Sequence, residues 1–154
     1  MSRGGGSPTY KVSALPRGSV LDHLRAGTAL RALRVLRIPA DATVTVGVNL
    51  ASPRMGKKDI VKIEGYELSH DEAARVALVS PDATLSIIRE FKVVSKSKLS
   101  LPPSFRGLLR CPNPACIVHQ ERVPGAFAVE SRDPVTVRCE YCERSIAEEQ
   151  FEFP

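Results

Sequence analysis

The sequence predicts an α+β protein: a ferredoxin-like βαββαβ domain over residues 10–100, followed by a small all-β, zinc-ribbon-like domain over residues 101–154. Three observations predict this. Apolar residues switch between period two and helical spacing in the order β-α-β-β-α-β. The polar, Pro-containing stretch SKSKLSLPPS then breaks the pattern, which puts a linker near residues 97–104. All four cysteines lie beyond it, at Cys111, Cys116, Cys139 and Cys142.

Residues 1–9 are mostly Gly, Ser and Pro with little to bury, so a disordered tail is expected there. Lys11–Leu15 reads as a first strand closed by Pro16 and Gly18, with Asp22 and His23 just after it. From about Arg25 to Leu36, Ala29, Leu30, Leu33 and Leu36 recur at helical spacing until Pro39. Thr43–Leu50 alternates cleanly, with Val44, Val46, Val48 and Leu50 on the face expected to be buried. ASPRMGKK reads as a basic turn, and Ile60–Glu64 as the antiparallel return strand. Ser69 and Glu72 form a capping box that starts a helix, which Ser80–Pro81 ends. Thr84–Ile88 and Phe91–Val94 read as strands or as one strand with a bulge near Arg89. Beyond the linker, Phe127–Val129 and Val135–Val137 are short strand candidates.

The apolar fraction is 43% and there is no Trp, which gives an aliphatic core of ordinary extent. The first residues carry no apolar leader, and no stretch approaches the ~18 apolar residues of a membrane span, so a cytoplasmic protein without a membrane partner is expected. The net charge of +5 is unevenly divided. Residues 1–104 carry 16 Lys and Arg against 9 Asp and Glu, whereas residues 105–154 carry 6 against 8. A ribbon that grips nucleic acid through its own surface should be basic. This one is acidic, so no nucleic-acid partner is expected, and a basic zinc-ribbon nucleic-acid-binding protein is the alternative.

Two close cysteine pairs with 22 residues between them suit one structural Zn²⁺ per chain, held by four thiolates. Two disulfides are the competing reading, and nothing in the sequence suggests an oxidising compartment. Four thiolates leave no open coordination position for catalysis. His119 reads as an ordinary polar loop residue. The sequence lacks a Walker loop, G-x-S-x-G and H-E-x-x-H, so no catalytic residues are assigned. The first domain instead offers Lys58, Lys62 and Lys96, which His23 could join, as cations for a polyanion, with Asp22 as an acceptor for ribose hydroxyls or a base amine. That combination suits a nucleotide, although surface lysines are commonly just a solvated face.

RGSVLDHL, VTVGVNL, MGKKDIVKIEGYELS, VVSKSKLSLP, CPNPACI and CEYC, in this order, resemble the regulatory chain of aspartate carbamoyltransferase over about residues 11–145. The resemblance implies a non-catalytic subunit of pyrimidine biosynthesis. Such chains form homodimers, bridge trimers of a separate catalytic chain, and bind the nucleotide effectors CTP, UTP and ATP in an allosteric domain. A zinc domain contacts the catalytic chain. It further implies that Asp22 and Lys62 contact ribose and base, that His23 and Lys96 contact phosphates, and that Lys58 and Asn49 belong to the effector site. Backbone from Val12 to Leu15 would read the base edge, and Val20, Ile60, Phe91 and Val93 would line the pocket. Ser13 stands where the resemblance leads one to expect an acidic residue, and Phe91 where it leads one to expect Tyr.

Overall fold

A computed structural model describes residues 15–154. The expected tail, and all of the expected first strand except Leu15, lie outside the described residues, as do Val12 and Ser13.

The first half runs β1 (Arg17–Arg25), α1 (Ala29–Val35), β2 (Val44–Ser52), β3 (Gly56–Glu64), α2 (His70–Val79), β4 (Thr84–Arg89) and β5 (Lys92–Lys98). Its sheet has the order β2-β3-β1-β4-β5, with every pairing antiparallel. The first four strands have the ferredoxin-like order, and β5 extends the sheet by one. Leu21, Leu24, Val61 and Ile63 alternate toward one face, where Ala29, Ala32 and Val35 of α1 and Val76, Ala77 and Val79 of α2 cover them.

Helix α2 begins as expected. Ser69 Oγ accepts from the Glu72 amide at 3.2 Å, and a Glu72 carboxylate oxygen accepts from the Ser69 amide at 3.0 Å. The other Glu72 carboxylate oxygen accepts from the Tyr66 hydroxyl at 2.7 Å, so the cap also fixes the incoming chain. Ser69→Ala is expected to lower stability by about 1 kcal/mol, read as a lower urea midpoint with an unchanged slope.

Several elements differ from the sequence expectation. β1 passes through Gly18 and carries Asp22 and His23 within the sheet rather than after it. Gly18 is needed there, because a Cβ would meet the Ile63 carbonyl oxygen at 2.1 Å. Arg25 ends β1, and α1 starts only at Ala29, with Leu30 turned outward at 66% exposure. β2 does not bury its valine face. It is an edge strand whose register shifts between Gly47 and Leu50, and Val46 and Val48 remain 36% and 47% exposed. β4 and β5 form a hairpin, not a single bulged strand, because Glu90 and Phe91 both adopt left-handed backbone (φ 50° and 63°) and reverse the chain. Lys96 therefore lies on β5. The expected linker shrinks to the residues after Lys98, and two of these, Leu99 and Leu101, are buried.

The second half contains β6 (Ser104–Arg106), α3 (Ile117–Glu121), β7 (Ala126–Arg132), β8 (Val135–Cys139) and β9 (Ser145–Ala147), in a four-stranded sheet of that strand order. Phe127, Val135, Val137 and Ile146 form its core together with Cys111, Cys116 and Cys139. The Phe127 ring stacks on Phe105 at 5.5 Å. The halves are not independent: Leu78 of α2 is fully buried in the second core, and Phe153 packs against both. Among the described residues, no helix is long and apolar enough to cross a membrane.

Candidate metal centre and outer-face site

The cysteine knuckles are built by turns that return the chain on itself. The Cys116 amide donates to the Asn113 carbonyl at 3.0 Å, and the Ala115 amide donates to Asn113 Oδ1 at 3.1 Å. At the second pair, the Glu143 amide reaches the Cys139 carbonyl at 2.8 Å, with Glu143 left-handed at φ 61°. The four Sγ atoms lie within 4.8 Å of one another. Cys111 and Cys142 are 3.7 Å apart and Cys116 and Cys139 3.8 Å, far longer than a disulfide. A tetrahedral metal with sulfur bonds of about 2.3 Å requires S···S edges of about 3.8 Å, so the donor set fits.

Burial pushes the Cys111 thiol up to about 12. Burial also raises Cys142, but bonds from the Asn113 side chain and the Arg144 amide outweigh it and bring that thiol to about 7. A cluster this tight ionises fully only with a cation at its centre, so metal binding must release protons. His119 is not a simple loop residue. It lies on α3, and its Nε2 is 2.9 Å from the Cys111 carbonyl oxygen, which positions the first knuckle.

The sheet's second face, opposite the helices, collects most of the other sequence-predicted residues. Asp22 and His23 form a bulge in β1, because the register jumps from Leu21↔Val61 to Leu24↔Asp59. His23 is left-handed at φ 56°, and its amide donates to Asp22 Oδ1 at 2.6 Å. Lys58 Nζ is 2.9 Å from that same oxygen. His23 Nδ1 lies 3.1 Å from Thr84 Oγ1. Lys62, Val20, Ser86 and Lys96 are register neighbours across four strands, so both lysines project from one row. At about 4.8 Å per strand their backbones stand about 14 Å apart, within reach of two long side chains converging on one ligand.

The electrostatics match that geometry. Burial raises the Asp22 carboxyl, but the bonds from Lys58 and the His23 amide prevail and hold it below its usual range. Burial lowers His23, and Lys58, Arg54 and Lys96 lower it further against the opposing pull of Asp22. Burial also lowers Lys62, with Asp22 opposing.

Of the remaining site residues, Val20 lies within that row and Ile60 between Lys58 and Lys62 on β3, whereas Leu15, Phe91, Val93 and Asn49 lie outside it. Leu15 is half-buried next to Pro16, whose carbonyl accepts from the Phe91 amide at 3.0 Å. Phe91 is 67% exposed at the β4–β5 turn, and Val93 is opposite Ile88 near that end. Val20 is half-buried and Ile60 buried. Asn49 occupies the β2 bulge at φ 58°, and its amide donates to Asp59 Oδ1 at 2.9 Å. Asp59 was not anticipated. It is fully buried, and its other oxygen accepts from the Ala29 amide at 2.9 Å, joining the β2 bulge to the start of α1. Thr84, Ser86 and Arg54 were also missed. Their only sequence signal is the alternation that puts them in strand or turn.

A ferredoxin-like domain with a lysine-bearing outer face, followed by a domain built around four clustered cysteines, makes this a two-domain chain with a candidate metal centre. The sequence comparisons agree. Residues 10–100 match the family described as aspartate carbamoyltransferase regulatory chain, allosteric domain, and residues 103–152 match its metal binding domain. Aspartate carbamoyltransferase regulatory chains from Thermococcus gammatolerans and Methanocaldococcus jannaschii are each 44% identical to this chain, over 93% and 92% of its length and 96% and 95% of theirs. That of Methanopyrus kandleri is 48% identical over 91% of this chain and 92% of its own. The chain belongs to the aspartate carbamoyltransferase regulatory chain family and is a non-catalytic subunit.

Proposed function

We propose that the chain binds CTP, UTP or ATP on the outer face of its first sheet and passes that signal to catalytic trimers of aspartate carbamoyltransferase through a second domain held by one structural Zn²⁺. The division follows residues 10–100 and 101–154. The juxtaposition of Asp22, His23 and Lys58 at one bulge with the Lys62–Lys96 row carries the nucleotide reading. These groups supply acceptors for ribose or base and donors for phosphate within a single face. Asp22 and Lys62 serve ribose and base, and His23 and Lys96 serve phosphates. Lys58 holds Asp22 ionised, and Asn49 lies at the margin. Backbone from Val12 to Leu15, with Val20, Ile60, Phe91 and Val93, forms the base end. Zinc is the metal because four thiolates at tetrahedral spacing suit it and leave no open position.

A second copy of the chain is the partner for the β2 edge, where Val46 and Val48 stand exposed, as Leu30 does on α1. Dimers formed this way bridge catalytic trimers, and the complex is cytoplasmic.

Calorimetric titration of the zinc-loaded chain with CTP, UTP and ATP between pH 6 and 8.5 tests the nucleotide site. A phosphate beside His23 would favour its protonated form against the burial and the cations that depress it, so the bound imidazole takes up a proton. Binding therefore weakens as pH rises through the range where the free imidazole is already neutral, and it carries a buffer-dependent heat. Absence of binding by all three nucleotides to folded, zinc-loaded chain would contradict the reading.

A further inference from the structure

We propose that Arg25 is the positioning residue through which occupancy of the outer face reaches the metal-binding half; the proposal rests on the nucleotide reading above. Arg25 is on the same strand as Asp22 and His23, immediately beyond their bulge. A bulge sets the direction of the strand that leaves it, so a ligand that engages Asp22 and His23 acts on the backbone that aims Arg25.

The far end of Arg25 is in the other half. Its Nη2 donates to the Arg132 carbonyl at 3.0 Å, and its Nη1 is 3.5 Å from Asp133 Oδ1, both at the β7–β8 turn. The Arg132 guanidinium in turn donates to the Leu101 carbonyl in the connecting segment. The Arg25 amide donates at 2.9 Å to the buried Ser80 hydroxyl at the end of α2. Two residues before Ser80, Leu78 enters the second core. Strand β1 is thus tied to helix α2 through the Arg25 amide and to the β7–β8 turn through the Arg25 side chain, with Arg132 carrying the contact on to the connecting segment.

Other contacts also join the halves: Arg31 is 3.7 Å from Glu148, and Arg37 donates to the Pro154 carbonyl. Both arginines lie on or beside α1 and are separated from the bulge by the turn at Gly27 and Thr28. They hold the halves together without sharing the ligand-bearing strand. The Arg25–Asp133 ion pair is open to water, and Asp133 is 88% exposed, so it adds little to stability. Arg25 can therefore be changed without unfolding the chain.

The test uses full-length, zinc-loaded chain and amide hydrogen exchange read by mass spectrometry. Arg25→Met keeps the apolar stem and removes the charged fork, Arg25→Lys restores a charge and a donor, and Arg31→Met breaks an ion pair off the path. In the wild type, saturating CTP is expected to change exchange at the β7–β8 turn by about five-fold or more, the low end of allosteric coupling. Arg25→Met is expected to bind CTP as tightly but lose that response, Arg25→Lys to recover part of it, and Arg31→Met to keep it.

A second arm needs no nucleotide. Chelating the metal is expected to raise exchange at the end of α2 in both wild type and Arg25→Met, but at residues 23–28 in the wild type only. An equal response of residues 23–28 in both chains overturns the assignment, as does a full CTP response in Arg25→Met. Failure of CTP to bind the wild type overturns the nucleotide reading, and the chelation arm still decides the role of Arg25.

Discussion

Cys139→Ala is expected to unfold the second half of the chain and abolish its assembly with catalytic trimers, while nucleotide binding by the first half survives. Cys139 is fully buried at the end of β8, within the core formed by Phe127, Val137 and Ile146. Only about 50 residues surround it, too few to secure a fold on apolar burial alone. Structural zinc in small domains contributes apparent binding free energy of roughly 10–16 kcal/mol, which becomes folding free energy. Losing one of four ligands removes most of that and leaves a void where a thiolate stood. Hydrogen exchange should show β7 and β8 unprotected and β1 and β3 largely protected, with some loosening at α2 because Leu78 loses its packing. Metal analysis should show no stoichiometric zinc. A variant that keeps β7–β8 protection and still assembles would show that the metal does not hold this domain.

Lys96→Ala is expected to weaken nucleotide binding by roughly 10- to 100-fold, the equivalent of one charge-assisted phosphate contact of about 1.5–3 kcal/mol. β5 is an edge strand exposed along its whole length, so the substitution should leave stability within about 0.5 kcal/mol. Lys92→Ala is the control. It is on the same strand at the Arg89 end, away from the Lys62–Val20–Ser86–Lys96 row. Calorimetry should separate the two variants clearly. Equal weakening by both would mean that β5 contributes only diffuse positive charge, the behaviour of a solvated lysine face.

Much of this was legible in the residues. The capping box at Ser69 and Glu72 is a local device, and its two bonds form as the spacing implies. The cysteine quartet was legible because metal geometry constrains spacing, and the sulfurs converge as four ligands must. What depended on strand pairing was not legible. Alternation in β2 marks a strand, but whether its valines are buried depends on which strand has a neighbour, and β2 is at an edge. The β4–β5 reversal depends on two left-handed residues, Glu90 and Phe91, neither of them a usual turn former. The position of Asp22 and His23 inside β1 depended on Gly18, which permits a close strand approach yet reads in sequence as a turn residue.

The candidate site divides the same way. Lys58, Lys62 and Asp22 could be proposed from charge and hydrogen-bonding capacity alone. Lys96 could be proposed beside them on the same grounds, but the addition of Thr84 and Ser86 follows from the order β3-β1-β4-β5, which sequence spacing does not encode. Asp59 was invisible for a related reason. A buried carboxylate that bonds two backbone amides from separate elements looks, in sequence, like any acidic residue in a basic hairpin.

The most direct test of the account is the aspartate carbamoyltransferase activity of catalytic trimers mixed with this chain, measured at subsaturating aspartate across a CTP and ATP titration. Nucleotides are expected to change the rate only when the zinc-loaded chain is present, and Lys96→Ala is expected to shift the response to higher nucleotide concentration. A complex that forms but turns over at one rate at every nucleotide concentration would contradict the account.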